Sequence, residues 1–498
     1  MRITNNMIMD NTKTNINGNK VNVDKYNTQM TTQKKISKAS ENPVIAIRSL
    51  RLGTSMSHIT QYLDNNIKDA ASWLDVTYTA LNSMKDLLTD IRTQCVNGST
   101  DTLTADDRQT ILKNLEALQD QIYTEGNADY AGRTVFTGYR TTENLTFNED
   151  APETSYAIEQ NYTFEDLKQH RFYYGDAAVP SATDVAQHKQ NNTEYTENVG
   201  RETNYRVRLA YSGAELSDTN AFMIDGAEYT DITVYDDEKQ WTESADFPLA
   251  DDATTCIFIK STGEMVIPKD MAEEIIENKQ SMTVNYNKTG FVEGDLRPEY
   301  YFNCTLNPGK DDEVVFTLEE QEINYTISAN TQLTVNTQAR NVFSQDIDRD
   351  VSEMIDAVKY AIDAETKVGR IEEMMRQEQY ADPESQEVLQ GYLDVAKKEQ
   401  DLANDNLQKL YDSYVGNFNN YLTKVNTAIT NVGSMQARLS LTQNRVENQS
   451  TTVEQLKSSN EDREMSDVII DYYAAYNAYT SSLTAASKVG EQSLLKYL

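Results

Sequence analysis

Asp346, Asp348 and Asp350 stand at alternate positions, as the first ligands of a calcium-binding loop do. Such a loop needs glycine at its sixth position and a chelating glutamate at its twelfth. This chain has Val351 and Ala357 there. A helix N-terminus accounts for the triplet better, because carboxylates in a first turn meet the positive end of the helix dipole. His58, His170 and His188 are too scattered for zinc, and no HExxH, GxxxxGK[ST] or GxSxG occurs. Asp236-Asp237 and Asp251-Asp252 have the spacing of carboxylate dyads, but nothing around them marks a pocket, and they read as solvated surface. Cys95, Cys256 and Cys304 are odd in number and match neither a zinc motif nor CxxC. The expectation is a chain that is not an enzyme and has no catalytic residue, metal or cofactor.

The elements behind these residues carry the stronger signal. Leu63, Ile67, Ala70, Leu74, Thr77, Leu81, Met84, Leu88, Ile91 and Cys95 alternate spacings of four and three, which predicts one long helix with a heptad seam. Asn97-Gly98 ends it, and Thr104 followed by Asp106 and Asp107 predicts the N-cap of the next helix, with Ile111, Leu115, Leu118 and Ile122 on one face. Helical spacing returns near Asp346 and runs through Phe418, Leu422, Val425, Ile429, Val432, Leu439, Val446 and Val453. It resumes in Met465, Ile469, Tyr472, Tyr476, Tyr479, Leu483 and Ala486, with no proline after Pro383 to force a break.

The centre of the chain differs. Ile232–Tyr235, Cys256–Ile259, the run 314–317 and the run 323–327 are short β-branched and aromatic segments between turn signals such as Asp225-Gly226, Thr262-Gly263 and Asn307-Pro308-Gly309. One short helix is expected over Lys269–Asn278, after Pro268. The fold class is therefore α+β: a long helical bundle formed by both chain ends with a mainly β central insertion. The expected division is 1–40 plus 456–498 as terminal coiled-coil segments, 41–147 plus 341–455 as a helical bundle, and 148–340 as a β-rich surface insertion of one or two subdomains.

A net charge of −34 disfavours nucleic acid and anionic lipid as partners, since both need a basic footprint. No run of 18 apolar residues offers a membrane-spanning helix, and the first residues lack the apolar core of a signal peptide. The first segment is mildly basic (Lys13, Lys20, Lys25, Lys34, Lys35, Lys38), and the last carries Glu461, Asp462, Glu464, Asp467 and Asp471. Opposite charge suits antiparallel pairing of the two ends. The seam Ile16, Val23, Tyr26 and Met30 is too thin to offset ordering entropy alone, so both ends are expected to be disordered in a free monomer.

The ends also resemble a known family. Met1-Arg2-Ile3-Thr4-Asn5, the stretch from Gln33 to Ala46, Gln61–Ile67 and Tyr130–Gly138 are similar to the N-terminal region of the flagellin-like axial proteins of bacteria. Ala437–Arg445 and Ser493–Leu498 resemble the C-terminal region of that family. Pro43 and the opening Met-Arg-Ile-Thr resemble the hook–filament junction type more than the filament type, and Thr31-Thr32-Gln33 departs from the family by lacking a glycine. The resemblance implies a secreted structural subunit joining hook to filament, exported unfolded through the flagellar channel, with flagellin forming the filament itself as the alternative. It also implies self-association into a ring, neighbours in hook-associated protein 1 and flagellin, and an export chaperone on the C-terminal segment. The residues expected to form subunit contacts are Ile3, Met7, Ile16, Val23, Tyr26, Met30, Ile36, Tyr472, Tyr476, Tyr479, Leu483, Leu494, Leu495 and Leu498. An autotransporter-like or phage-tail coiled-coil adhesin and a hydrolase in the β block are the readings from other classes.

Overall fold

The computed structural model describes residues 5–100, 103–191 and 199–491. Helices come first: α1 (Asn5–Thr32), α2 (Pro43–Gln61), α3 (Lys68–Gly98) and α4 (Ala105–Gln119). The Asn42 side chain accepts hydrogen bonds from Val44 N and Ile45 N at 3.2 and 3.3 Å, and Pro43 sits at the first helical position, where its missing N–H costs nothing. One π-helical turn, Tyr62–Ile67, joins α2 to α3. Thr104 and Asp107 form the reciprocal capping box of α4. Within the central region lie α5 (Ala182–Asn191), α6 (Glu238–Thr242) and α7 (Lys269–Asn278). The chain returns through α8 (Gln345–Met375), α9 (Pro383–Glu461) and α10 (Met465–Glu491). The fold is α+β, with long helices from both ends around a mainly β insertion.

Two compact units divide the chain. The first comprises Met1–Ala71, Asn324–Leu333 and Gln436–Leu498. In it α1 and α10 form an antiparallel pair, and α2 runs antiparallel to the end of α9, with Asn460 Nδ2 donating to Ile45 O at 3.1 Å. A hairpin from Asn324–Ser328 and Thr331–Thr334 packs on the π turn, where Asn66 Nδ2 donates to Thr326 O at 2.7 Å. No proline separates α9 from α10, yet the helix breaks between Glu461 and Met465. The crossing chain provides the reason. Lys35 N donates to Glu461 O, Arg463 N donates to Gln33 O, and Lys34 pairs with Asp462 at 2.5 Å. Gln33 holds φ 56°, the left-handed conformation that the absent glycine would adopt without strain.

The second unit comprises Ser72–Ile323 and Thr334–Met435. Its helical part is built on the heptad seam: Leu74, Leu81, Met84, Leu88, Ile91 and Cys95 of α3 are fully buried, as are Val351, Met354 and Ala361 of α8. The β part has two sheets. One orders Lys168–Tyr174, Gly200–Arg208, Glu264–Ile267, Cys256–Ile259 and Ile232–Tyr235, with only the last pair parallel. The other is centred on the long antiparallel pair Ala151–Tyr162 and Met282–Phe291. One core joins both sheets through Ile158, Val207, Phe258, Met265, Val284 and Tyr286. Phe172, Trp241, Ile257, Ile259 and Val266 form a second core on the opposite face of the five-stranded sheet. Burial on both faces explains why Cys256–Ile259 reads as an unbroken apolar run instead of an alternating one.

Charged residues fasten the sheet to the helices. Arg206 Nη2 donates to both carboxylate oxygens of Glu353 at 2.9 and 2.8 Å, and Arg208 Nη1 reaches Glu353 at 3.0 Å. Arg206 also pairs with Glu264, and Arg208 with Asp350. Asp350 is fully buried and accepts from Asn417 at 3.0 Å and Tyr421 at 2.8 Å. The first-turn account of the triplet therefore fits Asp346 and Asp348, while Asp350 is a buried ionic anchor one turn further on. Among the described residues no cluster of metal-ligating side chains occurs. Asp236, Asp237, Asp251 and Asp252 are exposed, and Asp237 caps α6.

Candidate subunit interface

The α1–α10 pair is built by two facing heptad seams. Thr12, Ile16, Asn19, Val23, Tyr26 and Met30 are half-buried positions of α1 spaced four and three, with Thr28 half-buried and Gln29 buried beside them. Opposite them Val468, Tyr472, Ala475, Tyr479, Ser482 and Ala486 keep the same spacing. Polar contacts tie the pair. Asn19 Nδ2 donates to Ser482 Oγ at 2.6 Å, Arg463 Nη1 donates to Gln29 Oε1 at 2.6 Å, and the Arg463 guanidinium lies 5.4 Å from the Tyr26 ring centre. At the crossing, the hydrogen bond to Asp462 raises the pKa of Lys34, against the opposing effect of burial. The bond from Lys34 lowers that of Asp462.

These seams sort the candidate residues. Ile16, Val23, Tyr26, Met30, Tyr472 and Tyr479 are half-buried in the packed pair α1–α10. Ile36 is half-buried in the crossing segment, and Met7 is exposed. Tyr476 and Leu483 lie on a different face of α10 and remain exposed. Ile3, Leu494, Leu495 and Leu498 lie outside the described residues. Sequence reasoning merged two stripes of α10 into one and so passed over Tyr473 at 60% and Ile470 at 67% exposure. The spacing Ile469, Tyr473, Tyr476, Thr480 and Leu483 was the signal available, since it repeats four and three beside the first stripe. The stacked rings of Tyr472 and Tyr476, 6.2 Å apart and tilted by 17°, connect the covered stripe to the uncovered one. In the same unit α2 exposes Val44, Ile47 and Leu50.

An exposed apolar stripe of this kind is a surface open to contact with another apolar surface. Residues 3–141 match the bacterial flagellin N-terminal helical region. Over that region the chain is flagellin-like. Flagellar hook-associated protein 3 of Escherichia coli K12 is 28% identical over 127 residues, covering 25% of this chain and 39% of that protein. The protein of the same name in Salmonella typhimurium LT2 is 25% identical over 142 residues, covering 28% of this chain and 44% of its own length. The chain thus spans less than half the length of these relatives. Among solved structures, flagellar hook associated protein-3 from Legionella pneumophila aligns with a TM-score of 0.29 at 9% identity, covering 82% of this chain and 97% of that one.

Proposed function

We propose that this flagellin-like chain is a non-enzymatic structural subunit of the bacterial flagellum, secreted through its channel and joining the hook to the filament. The observation that carries the reading is the exposed stripe Ile469, Tyr473, Tyr476 and Leu483 on a helix whose neighbouring stripe is already taken by α1. Burying a large apolar side chain contributes about 1.5–3 kcal/mol, so this stripe repeated around a ring outweighs the repulsion of an acidic surface. Exposed ion pairs add only about 0–1 kcal/mol and are secondary. The likeness to flagellar hook-associated protein 3 favours the junction over the filament, and it motivates hook-associated protein 1 and flagellin as neighbours and an export chaperone on the C-terminal segment.

The α1–α10 seam also supports export unfolded and folding on assembly. It is half-buried and contains Thr12, Asn19, Ala475 and Ser482, so it stabilises the isolated pair weakly. Immuno-electron microscopy tests the location. A band at the hook–filament boundary is expected, and labelling along the filament assigns the chain to the filament instead. Limited proteolysis of the monomer tests the folding step, which fails if residues 1–40 and 460–498 resist as well as α3 does.

A further inference from the structure

Helix α2 buries Ala46 and Ile59 on one side and exposes a second apolar side to solvent. Val44, Ile47 and Leu50 stand exposed there, and Arg48 and Arg51 lie three or four residues from them on the same face. Nothing in the chain balances the two arginines. Residues 42–63 contain no aspartate or glutamate, and among the described residues Arg48 and Arg51 make no ion pair and no side-chain hydrogen bond. In a chain of net charge −34 this stripe has the opposite sign to most of the surface. The uncovered face of α10 carries its complement. Glu464 and Asp467 are exposed where α10 begins, next to Ile470 and Tyr473, and neither carboxylate pairs with a cation among the described residues. The helix dipole favours Asp467 in the first turn on its own account. Arg48 and Arg51, in the interior of α2, have no such local partner.

We propose that α2 of one copy docks antiparallel on the uncovered stripe of α10 in a second copy. In that register Arg51 faces Glu464, Arg48 faces Asp467, Ile47 faces Ile470 and Val44 faces Tyr473, so charge and apolar groups match together. A parallel register that matches the charges leaves the apolar positions unmatched. Pairing α2 with α2 gathers the guanidinium groups of both copies, a like-charge juxtaposition that disfavours the wrong contact. The inference rests on the reading of the α10 stripe as a subunit contact and names what covers it. Because each copy carries one patch of each kind, the contact is heterologous. It propagates head to tail and closes a ring if the rotation it imposes allows.

The test uses the full chain with added thiols, since Cys95, Cys256 and Cys304 are buried. A mixture of Val44→Cys and Tyr473→Cys chains, treated with a short bis-maleimide, should form a covalent dimer that neither chain forms alone. Arg48→Glu/Arg51→Glu and Glu464→Lys/Asp467→Lys should each weaken self-association in analytical ultracentrifugation by roughly tenfold, with helicity retained in circular dichroism. Mixing these two variants should restore association, because each then meets the opposite charge, a rescue that misfolded chains would not give. A dimer from Tyr473→Cys chains alone, with none specific to the mixture, overturns the pairing with α2 and leaves the stripe as a contact between copies. A charge-reversed mixture no better than its parts also overturns the pairing. Absence of association by every chain overturns it together with the reading on which it rests.

Discussion

Replacing Glu353 with glutamine probes the ionic joint between sheet and helices most directly. The glutamate carboxylate receives three hydrogen bonds, two from Arg206 and one from Arg208, at 2.8–3.0 Å. Both arginine side chains are largely buried, at 11% and 14% exposure. An amide presents one acceptor oxygen and an N–H pair that faces the guanidinium donors. Glu264, Asp350 and, more distantly at 3.8 Å, Asp346 then remain as the carboxylates for two crowded arginines. Breaking a buried pair by removing one partner costs about 3–5 kcal/mol, because the charge left behind is uncompensated. For a unit of this size that is a fall on the order of 10 °C in melting midpoint. The assay is urea or thermal unfolding followed by tryptophan fluorescence. Trp73 and Trp241 are the chain's two tryptophans, both are fully buried and both lie in the second unit, so the signal reports that unit alone. A loss below ~1 kcal/mol refutes the reasoning, since it would mean that the arginines need no more than their other carboxylates.

His170 should make the same unit acid-sensitive. Burial, assisted by Arg206, lowers its pKa to about 3, so the folded state holds it neutral while the unfolded chain protonates it near 6.5. Stability is then full above about 6.5 and falls as pH drops toward 3, and His170→Gln should flatten that part of a stability–pH curve measured by urea unfolding. Gln33→Gly should stabilise the first unit by about 0.5–1 kcal/mol, read by circular dichroism, because it removes a left-handed non-glycine residue; destabilisation would show that the Gln33 conformation costs nothing. The triple variant Tyr473→Ser/Tyr476→Ser/Leu483→Ser should abolish self-association in analytical ultracentrifugation while retaining helicity, since it removes the uncovered stripe and leaves Tyr472 and Tyr479 on the covered one. Unchanged association would exclude that stripe as the contact.

Legibility in the sequence followed the physics of each element. The α3 seam was plain because a helix buried on one side repeats its apolar positions every three and four residues, and Ile67 through Cys95 are buried as that spacing requires. Thr104 and Lys269–Asn278 were equally readable, through capping chemistry and a preceding proline. The two longest strands were not. Ala151–Tyr162 and Met282–Phe291 interleave glutamate, glutamine, asparagine and threonine with their buried residues, and that polarity masks a strand in the middle of a sheet. Arg206 and Arg208 escaped for a related reason. An arginine in a strand reads as surface until its carboxylates, here 58 residues away for Glu264 and 145 for the Arg208–Glu353 pair, are brought to it. The break after Glu461 left no local trace either, because the chain that causes it comes from the other end of the sequence. In the candidate interface, periodicity located the apolar stripes of α10, but only the α1 helix packed against it could tell which of them was already covered.

The hydrogen bond from Asn19 to Ser482 has a metrical consequence. A coiled pair with a repeating apolar seam can slide by one heptad, about 10 Å, and still bury similar groups. Such a slide would take the Asn19 amide away from its hydroxyl partner and strand a polar group in the seam. One asparagine thus acts as the index mark of a ruler. It fixes the height at which Tyr473, Tyr476 and Leu483 stand relative to α1, and with it the axial step of any assembly that uses them.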